Sequence, residues 1–275
     1  MPVLYVVSTP IGNLEDITLR ALRILQEAGL IAAEDTRVTR RLLERHGIST
    51  PVTSYNEHNK RTKIARLVEE LAEKDVALVS DAGTPGVNDP GADLVSAAIE
   101  AGLSVVPVPG PSSITAAVSV SGIPGDGFVH LGFLPRRRGD RKRALGTVVE
   151  SKEPIVLLEA PHRLIDNLED LLDVLGDRSI VVCRELTKLH EEIFRGSVSK
   201  AQEHFREPRG EFCIVVEGAG SSSGRVSRPE STAIPLLEEL RVRGARAKDA
   251  VALVAAATDL PKKRVYELWV LHTAS

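Results

Sequence analysis

Three segments of this chain have residue types that bring a backbone close to a ligand. Residues 8–16 (STPIGNLED), 80–91 (SDAGTPGVNDPG) and 107–113 (PVPGPSS) each follow an apolar run and lead into a helical pattern. Glycine lets the main chain approach a bound molecule, and proline fixes the turn. Asp81, at the end of its apolar run, is placed to accept hydrogen bonds from ribose hydroxyls or an amine. Ser112 or Ser113 is placed to cap a helix or meet a ligand carboxylate. None of the three reads GxGxxG or GxxxxGK[ST], so the phosphate-cradling glycines of dinucleotide and triphosphate sites are missing and a cofactor without a phosphate is expected. Cys183 and Cys213 sit in apolar runs without CxxC or Cys/His spacing, so no metal site is expected and both read as buried thiols of a reducing cytosol.

Clustered cations carry a second kind of chemistry. The net charge is −3, yet Arg136, Arg137, Arg138, Arg141, Lys142 and Arg143 face only Asp140 within one short stretch. Arg37, Arg40, Arg41 and Arg45 recur at spacings that place several guanidiniums on one helix face. Such faces hold phosphates with salt-sensitive affinity and read no sequence; a plain solvated face is the alternative. Aromatic residues make up 3% of the chain, too few for a broad base-stacking platform, so a folded RNA or a ribosomal particle is expected rather than a loose single strand.

The elements that must position these residues follow from periodicity. The 275 residues, 43% hydrophobic and 27% charged, suffice for two ordinary domains or one large α/β domain with an appendage, and exclude a disordered chain, a collagen-like fibre or a disulfide miniprotein. Strands are expected at 4–7, 30–33, 76–79 and 104–108, alternating with amphipathic helices at 18–28, 36–46, 61–73 and 91–101, which implies a largely parallel sheet with ligands at its carboxyl ends. A second α/β or α+β half is expected from strands at 128–133, 155–159, 179–183 and 212–216 and helices at 141–150, 164–175 and 200–205. GAGSSSG at 218–224 has a flexible-linker composition, and the expected divisions are 1–118, 119–218, a linker at 219–228, and an all-helical 229–275 with helices at 230–241, 247–257 and 261–271. No signal peptide and no uninterrupted apolar run of membrane-spanning length is found, so a cytoplasmic protein is expected.

The strings STPIGNLEDIT (8–18), AAEDTR (32–37), SDAGTPGVNDPG (80–91), VPVPGPSS (106–113), GFLPR (132–136), HR (162–163), CRELTK (183–188) and GEF with VVEG (210–218) occur in an order and spacing that resemble the ribosomal-RNA methyltransferase branch of the tetrapyrrole methylase family. The resemblance spans residues 3–218. It implies a two-domain tetrapyrrole-methylase-like α/β fold with S-adenosyl-L-methionine in the interdomain cleft, a helix-turn-helix-like C-terminal appendage, a homodimer, and 2'-O-methylation of a decoding-centre cytidine of 16S rRNA, within the assembled small subunit. Carried over by position, it implies a cofactor pocket formed by Pro10, Asp81, Ala82, Gly83, Val87, Pro109, Gly110, Ser112, Leu134, Glu159, Pro161 and Gly210. Asn88 and Ala160 depart from the usual pattern, and TPIGNLED stands where tetrapyrrole-methylating relatives have a GxGPGD-like loop, which favours the RNA branch.

Methyl transfer to a ribose hydroxyl needs in-line alignment and a group that takes the proton, and no metal. Glu34, Asp35, His58, His162, Glu185 and Lys188 are the eligible groups. Helix capping by Asp35 or His162 and a structural ion pair at Glu185 are the structural alternatives. Arg37, Arg41, Arg136, Arg137, Arg138, Lys262 and Lys263 are the expected RNA contacts, with Tyr266, Leu268, Trp269 and Leu271 expected to pack the helical tail. Competing functions are methylation of a tetrapyrrole carbon, or an RNA-binding assembly factor that has lost turnover.

Overall fold

The computed structural model describes residues 2–220, 230–258 and 260–271. They fall into two units, residues 1–219 and 220–275. The expected linker at 219–228 lies, from residue 221 onward, outside the described residues.

The first unit contains two sheets. Strands β1 (Val3–Val7), β2 (Leu30–Ala33), β3 (Val52–Ser54), β4 (Val76–Val79) and β5 (Ser104–Val108) form a parallel sheet in the order β3-β2-β4-β1-β5. Helices α1 (Leu19–Glu27) and α2 (Thr36–Arg45) cover one face, and α3 (Lys60–Glu73) and α4 (Gly91–Glu100) cover the other. Each helix turns its apolar stripe inward, which is why the three- and four-residue spacing marks it in the sequence. Thr18 caps α1 by accepting the Ala21 N–H at 3.1 Å, and Asp35 caps α2 by accepting the Arg37 N–H at 2.8 Å. Helix α2 buries Thr39, Leu42 and Leu43 and leaves Arg37, Arg40, Arg41 and Arg45 exposed. Central strands are buried on both faces, so β4 reads as an unbroken apolar run.

Helix α5 (Ser113–Ser121) leads to the second sheet, built from β6 (Val129–Phe133), β7 (Ile155–Glu159), β8 (Ser179–Arg184), β9 (Glu192–Ser197) and β10 (Phe212–Val216). The order is β6-β7-β10-β8-β9, with β6 and β7 parallel and the remaining pairs antiparallel. Helices α6 (Arg138–Gly146), α7 (Leu164–Leu175) and α8 (Val198–His204) cover one face. On the other, Ile114 and Ala117 of α5 pack against Val156, Val181, Cys183, Cys213 and Val215. The division expected at 118/119 therefore falls within a helix. Helix α6 begins three residues earlier than the periodicity indicates, because Asp170, fully buried on α7, takes Arg138 Nε at 2.9 Å and Arg141 Nε at 2.6 Å. Arg141, read from sequence as part of a surface basic cluster, is buried in this pair.

The second unit is three helices, α9 (Glu230–Val242), α10 (Ala247–Thr258) and α11 (Lys262–Leu271), around Ala233, Leu237, Ala250, Val254, Val265 and Leu268. Trp269 packs against this core, whereas Tyr266 and Leu271 are exposed rather than packed. Lys262 and Lys263 are exposed at the start of α11. Among the described residues, no helix is long and apolar enough to cross a membrane.

Candidate functional site

The strand-end loops of the parallel sheet are locked to one another. Thr9 and Gly83 form a two-bond bridge, with Thr9 N donating to Gly83 O at 2.9 Å and Gly83 N to Thr9 O at 3.0 Å. Gly83 has φ +81°, a conformation that penalises any side chain and so explains glycine there. The hydroxyls of Ser8 and Thr84 meet at 2.8 Å, and Thr84 Oγ1 donates to Pro111 O at 3.4 Å, which ties the second loop to the first and third. The first loop also reaches the second sheet's side, where Asn13 N donates to Thr187 Oγ1 at 3.0 Å.

These loops and the strand ends of the second sheet enclose a cavity of about 470 Å³. Its charged lining is acidic: Glu34, Asp81, Asp89, Glu159 and Glu211 contribute to it, and among the described residues no Lys, Arg or His does. The carboxylates of the first side are organised by backbone donors. Asp81 Oδ1 accepts the Asp35 N–H at 2.8 Å, Glu34 Oε2 accepts the Asp81 N–H at 3.3 Å, and Asp89 Oδ1 accepts those of Gly86 and Gly91 at 2.9 and 2.7 Å. Burial raises the Glu34 and Asp81 carboxyls above their ordinary values, and neighbouring carboxylates add to it, Asp81 and Asp89 for Glu34 and Asp35 and Asp89 for Asp81. On the far side Glu159 is buried. Its Oε1 accepts the Ala160 N–H at 2.9 Å and lies 3.4 Å from Arg163 Nε, Oε2 has no hydrogen-bond partner among the described residues, and burial again raises its pKa. The apolar floor includes Leu158, Cys183 and Cys213, which are register partners on β7, β8 and β10. Burial pushes the two thiols up to about 11 and 12, so neither is a nucleophile at neutral pH.

Of the residues expected to form a cofactor pocket, Asp81, Ala82, Val87, Glu159 and Pro161 line the cavity. Beside Pro10, Ser112, Leu134 and Gly210, their chain neighbours Ile11, Ser113, Phe133 and Glu211 line it. Gly83 is held in the bridge, while Pro109 and Gly110 lie exposed in the third loop. Among the groups considered for proton transfer, Glu34 lines the cavity. Asp35 is engaged by Arg37, whose Nη2 lies at 2.6 Å and holds its carboxyl down at about 2. Glu185 and Lys188 pair at 2.9 Å, with Lys188 also at 2.9 Å from Glu211. His58 and His162 are exposed and do not line the cavity. Arg136 and Arg137 are exposed and make no ion pair among the described residues, whereas Arg138 is held by Asp170.

Sequence reasoning passed over Asp89, Phe133, Leu158, Leu186, Cys183 and Cys213 as cavity residues. The strand members of this group reach the cavity through non-local pairing, which no short motif records. Asp89 had a signal in the sequence itself: a carboxylate between glycines, at the mouth of a helix, folds back on their N–H groups.

Residues 3–202 match the family model described as Tetrapyrrole (Corrin/Porphyrin) Methylases. The chain is 44% identical over 275 residues to a protein of Halalkalibacterium halodurans named Ribosomal RNA small subunit methyltransferase I, an alignment covering 97% of this chain and 94% of that one. It is 49% identical over 218 residues to a Thermotoga maritima protein of the same name, covering 78% of this chain and 98% of that one. Among solved structures, a uroporphyrin-III-C-methyltransferase from Thermus thermophilus superposes with TM-score 0.56 at 21% identity, over 79% of this chain and 94% of that one, a likeness of fold.

Proposed function

The chain belongs to the tetrapyrrole methylase family and is a methyltransferase, and from that premise we propose that it transfers a methyl group from S-adenosyl-L-methionine to the ribose 2'-hydroxyl of the decoding-centre cytidine of 16S rRNA, in the assembled small subunit. The observation that carries this reading is the cavity's lining of carboxylates without a cation. Such a lining favours a positively charged donor and repels both a polyphosphate cofactor and a polycarboxylate tetrapyrrole. The curated relatives support the RNA substrate through their names.

When bound, the donor supplies an electrophilic methyl on a positively charged sulfur, and its transfer leaves a neutral thioether while the hydroxyl loses its proton. Asp81 and Asp89 are assigned to complement the donor's positive charge and amine, with Ala82 and Val87 on the cavity wall and Pro10, Gly83, Pro109, Gly110 and Ser112 in the loops that would hold it. The apolar floor of Leu158, Cys183 and Cys213 excludes water and strengthens these interactions. Glu34 is assigned proton acceptance. It lines the cavity at the end of β2, burial raises its pKa and so its strength as a base, and it lies next to the helix whose exposed Arg37 and Arg41 offer phosphate contacts. Arg136 and Arg137 add phosphate contacts from the second sheet's side. A homodimer in the cytoplasm and contacts from Lys262 and Lys263 complete the proposal. The family model's match to residues 3–202, all within the α/β unit, favours that unit as the site of chemistry and the helical unit as an accessory.

The test supplies labelled donor with immature small subunits, naked 16S rRNA, or a polycarboxylate tetrapyrrole. Label at one ribose of the subunit RNA is expected, and label in the tetrapyrrole alone overturns the reading. Glu34→Gln is expected to slow single turnover about 100-fold and to remove the acid limb of the pH–rate profile.

A further inference from the structure

An aromatic side chain stands at the cavity without a place in any core. Phe133 lines the cavity yet is 52% exposed, in a chain that has only five phenylalanines. It ends β6, and the strand is broken just before it. The pairing of β6 with β7 shifts between His130 and Gly132, a bulge that turns the strand end. Gly132 has φ +64° and a Cβ there would collide with the Asn88 side-chain amide. Asn88 itself has φ +64°, an uncommon conformation for a residue with a side chain, and its Nδ2 lies 3.0 Å from His130 Nε2. The bulge of β6 and the second loop of the parallel sheet are therefore fitted to each other, and their junction sets the orientation of Phe133. Arg136 and Arg137 follow three and four residues later, both exposed.

We propose that Phe133 is the stacking platform for a nucleobase drawn out of the RNA, holding its ribose at the cavity mouth. This rests on the reading that the substrate is a ribose of small-subunit RNA. RNA modified or read at a single nucleotide is commonly recognised with its base splayed out and laid on an aromatic face, which is sequence-tolerant and needs one ring. Phosphates on Arg136 and Arg137 then fix the flanking strand, while the acidic lining keeps the phosphates themselves out of the cavity. Asn88 acts through Phe133 as a positioning residue.

The test compares wild type with Phe133→Ala, Phe133→Trp and Asn88→Gly, the last chosen because glycine suits the φ at that position. Steady-state methyl transfer to immature small subunits and calorimetric titration with the donor are measured on each, with thermal melting to establish folding. Phe133→Ala is expected to raise KM for the subunit about 10-fold or more, the size of a lost base–aromatic stack, with donor affinity within twofold. Phe133→Trp is expected to restore KM to within about threefold, and Asn88→Gly to raise it less than Phe133→Ala. Unchanged KM in Phe133→Ala overturns the proposal, as does weakened donor binding, which places the ring on the donor instead. A wild type that methylates no ribose in the subunit overturns the underlying reaction, an outcome distinct from an active wild type with an equally active Phe133→Ala.

Discussion

In the parallel sheet, carboxylates stand at the strand ends and face the cavity: Glu34, Asp81 and Asp89 are held in place by backbone N–H groups rather than by cations. The second sheet adds Glu159 and Glu211 to that lining, but on its other face, beneath α6 and α7, charge is turned inward. Asp170 is fully buried and binds Arg138 and Arg141, which fastens α6 to α7 on the face of the sheet opposite the cavity floor of Leu158, Cys183 and Cys213. The difference separates two uses of an acidic side chain. One leaves charge available to a cationic ligand, at a cost to the free protein's stability; the other satisfies charge within the fold and contributes nothing to binding.

The largest effect is expected from the inward charge. Asp170→Ala leaves Arg141 buried without a counter-charge and is expected to destabilise the protein by about 3–5 kcal/mol, read by urea unfolding, with donor affinity of the folded fraction unaltered. Stability within about 0.5 kcal/mol of wild type would remove the distinction between the two uses. Asp81→Ala touches the outward charge and is expected to weaken donor binding about tenfold, about 1.4 kcal/mol, with little change in unfolding; an unchanged calorimetric affinity takes Asp81 out of the donor site.

Smaller is the effect of replacing Arg136 and Arg137 together. Two lost phosphate contacts are expected to lower the salt slope of RNA affinity by about 1.5 without moving donor affinity, and an unaltered slope would make these arginines a solvated face only. The smallest effect concerns pH. Glu34 has a folded pKa above its unfolded value of 4.5, so its ionised form detracts from the free protein's stability at neutral pH, and that penalty fades as pH falls through the raised value toward 4.5. Glu34→Gln is accordingly expected to melt higher than wild type at pH 7, with the gap closing near pH 4.5. A variant that melts lower at pH 7 contradicts the assignment of Glu34 as a desolvated carboxylate.

The same contrast governs what can be read from sequence. β2, β4, β5, β7 and β10 are found where their continuous apolar runs place them, and α7 matches its periodicity at both ends. Two strands carry no such run. β3 is three half-buried residues after Pro51, and β9 (EIFRGS) is an edge strand whose alternation is interrupted by Arg195 and Gly196; both form because a neighbouring strand offers hydrogen bonds. The start of α6 at Arg138 was hidden by Gly139 and by cations that read as surface, until the buried Asp170 of a distant helix supplied their partner. At the site, loop residues such as Asp81 announce themselves through their Gly/Pro surroundings. The floor and Phe133 do not, because they depend on register, burial and a bulge, none of which is local to a motif.

The central claim is that the acidic cavity between the two sheets takes a sulfonium methyl donor. Determining the structure with S-adenosyl-L-methionine bound tests it most directly. The donor is expected in that cavity, with its positive end among Asp81, Asp89 and Glu34 and a clear path from its methyl to the mouth beside Phe133. A donor bound elsewhere, or one whose methyl faces away from Glu34 and Phe133, would contradict the account.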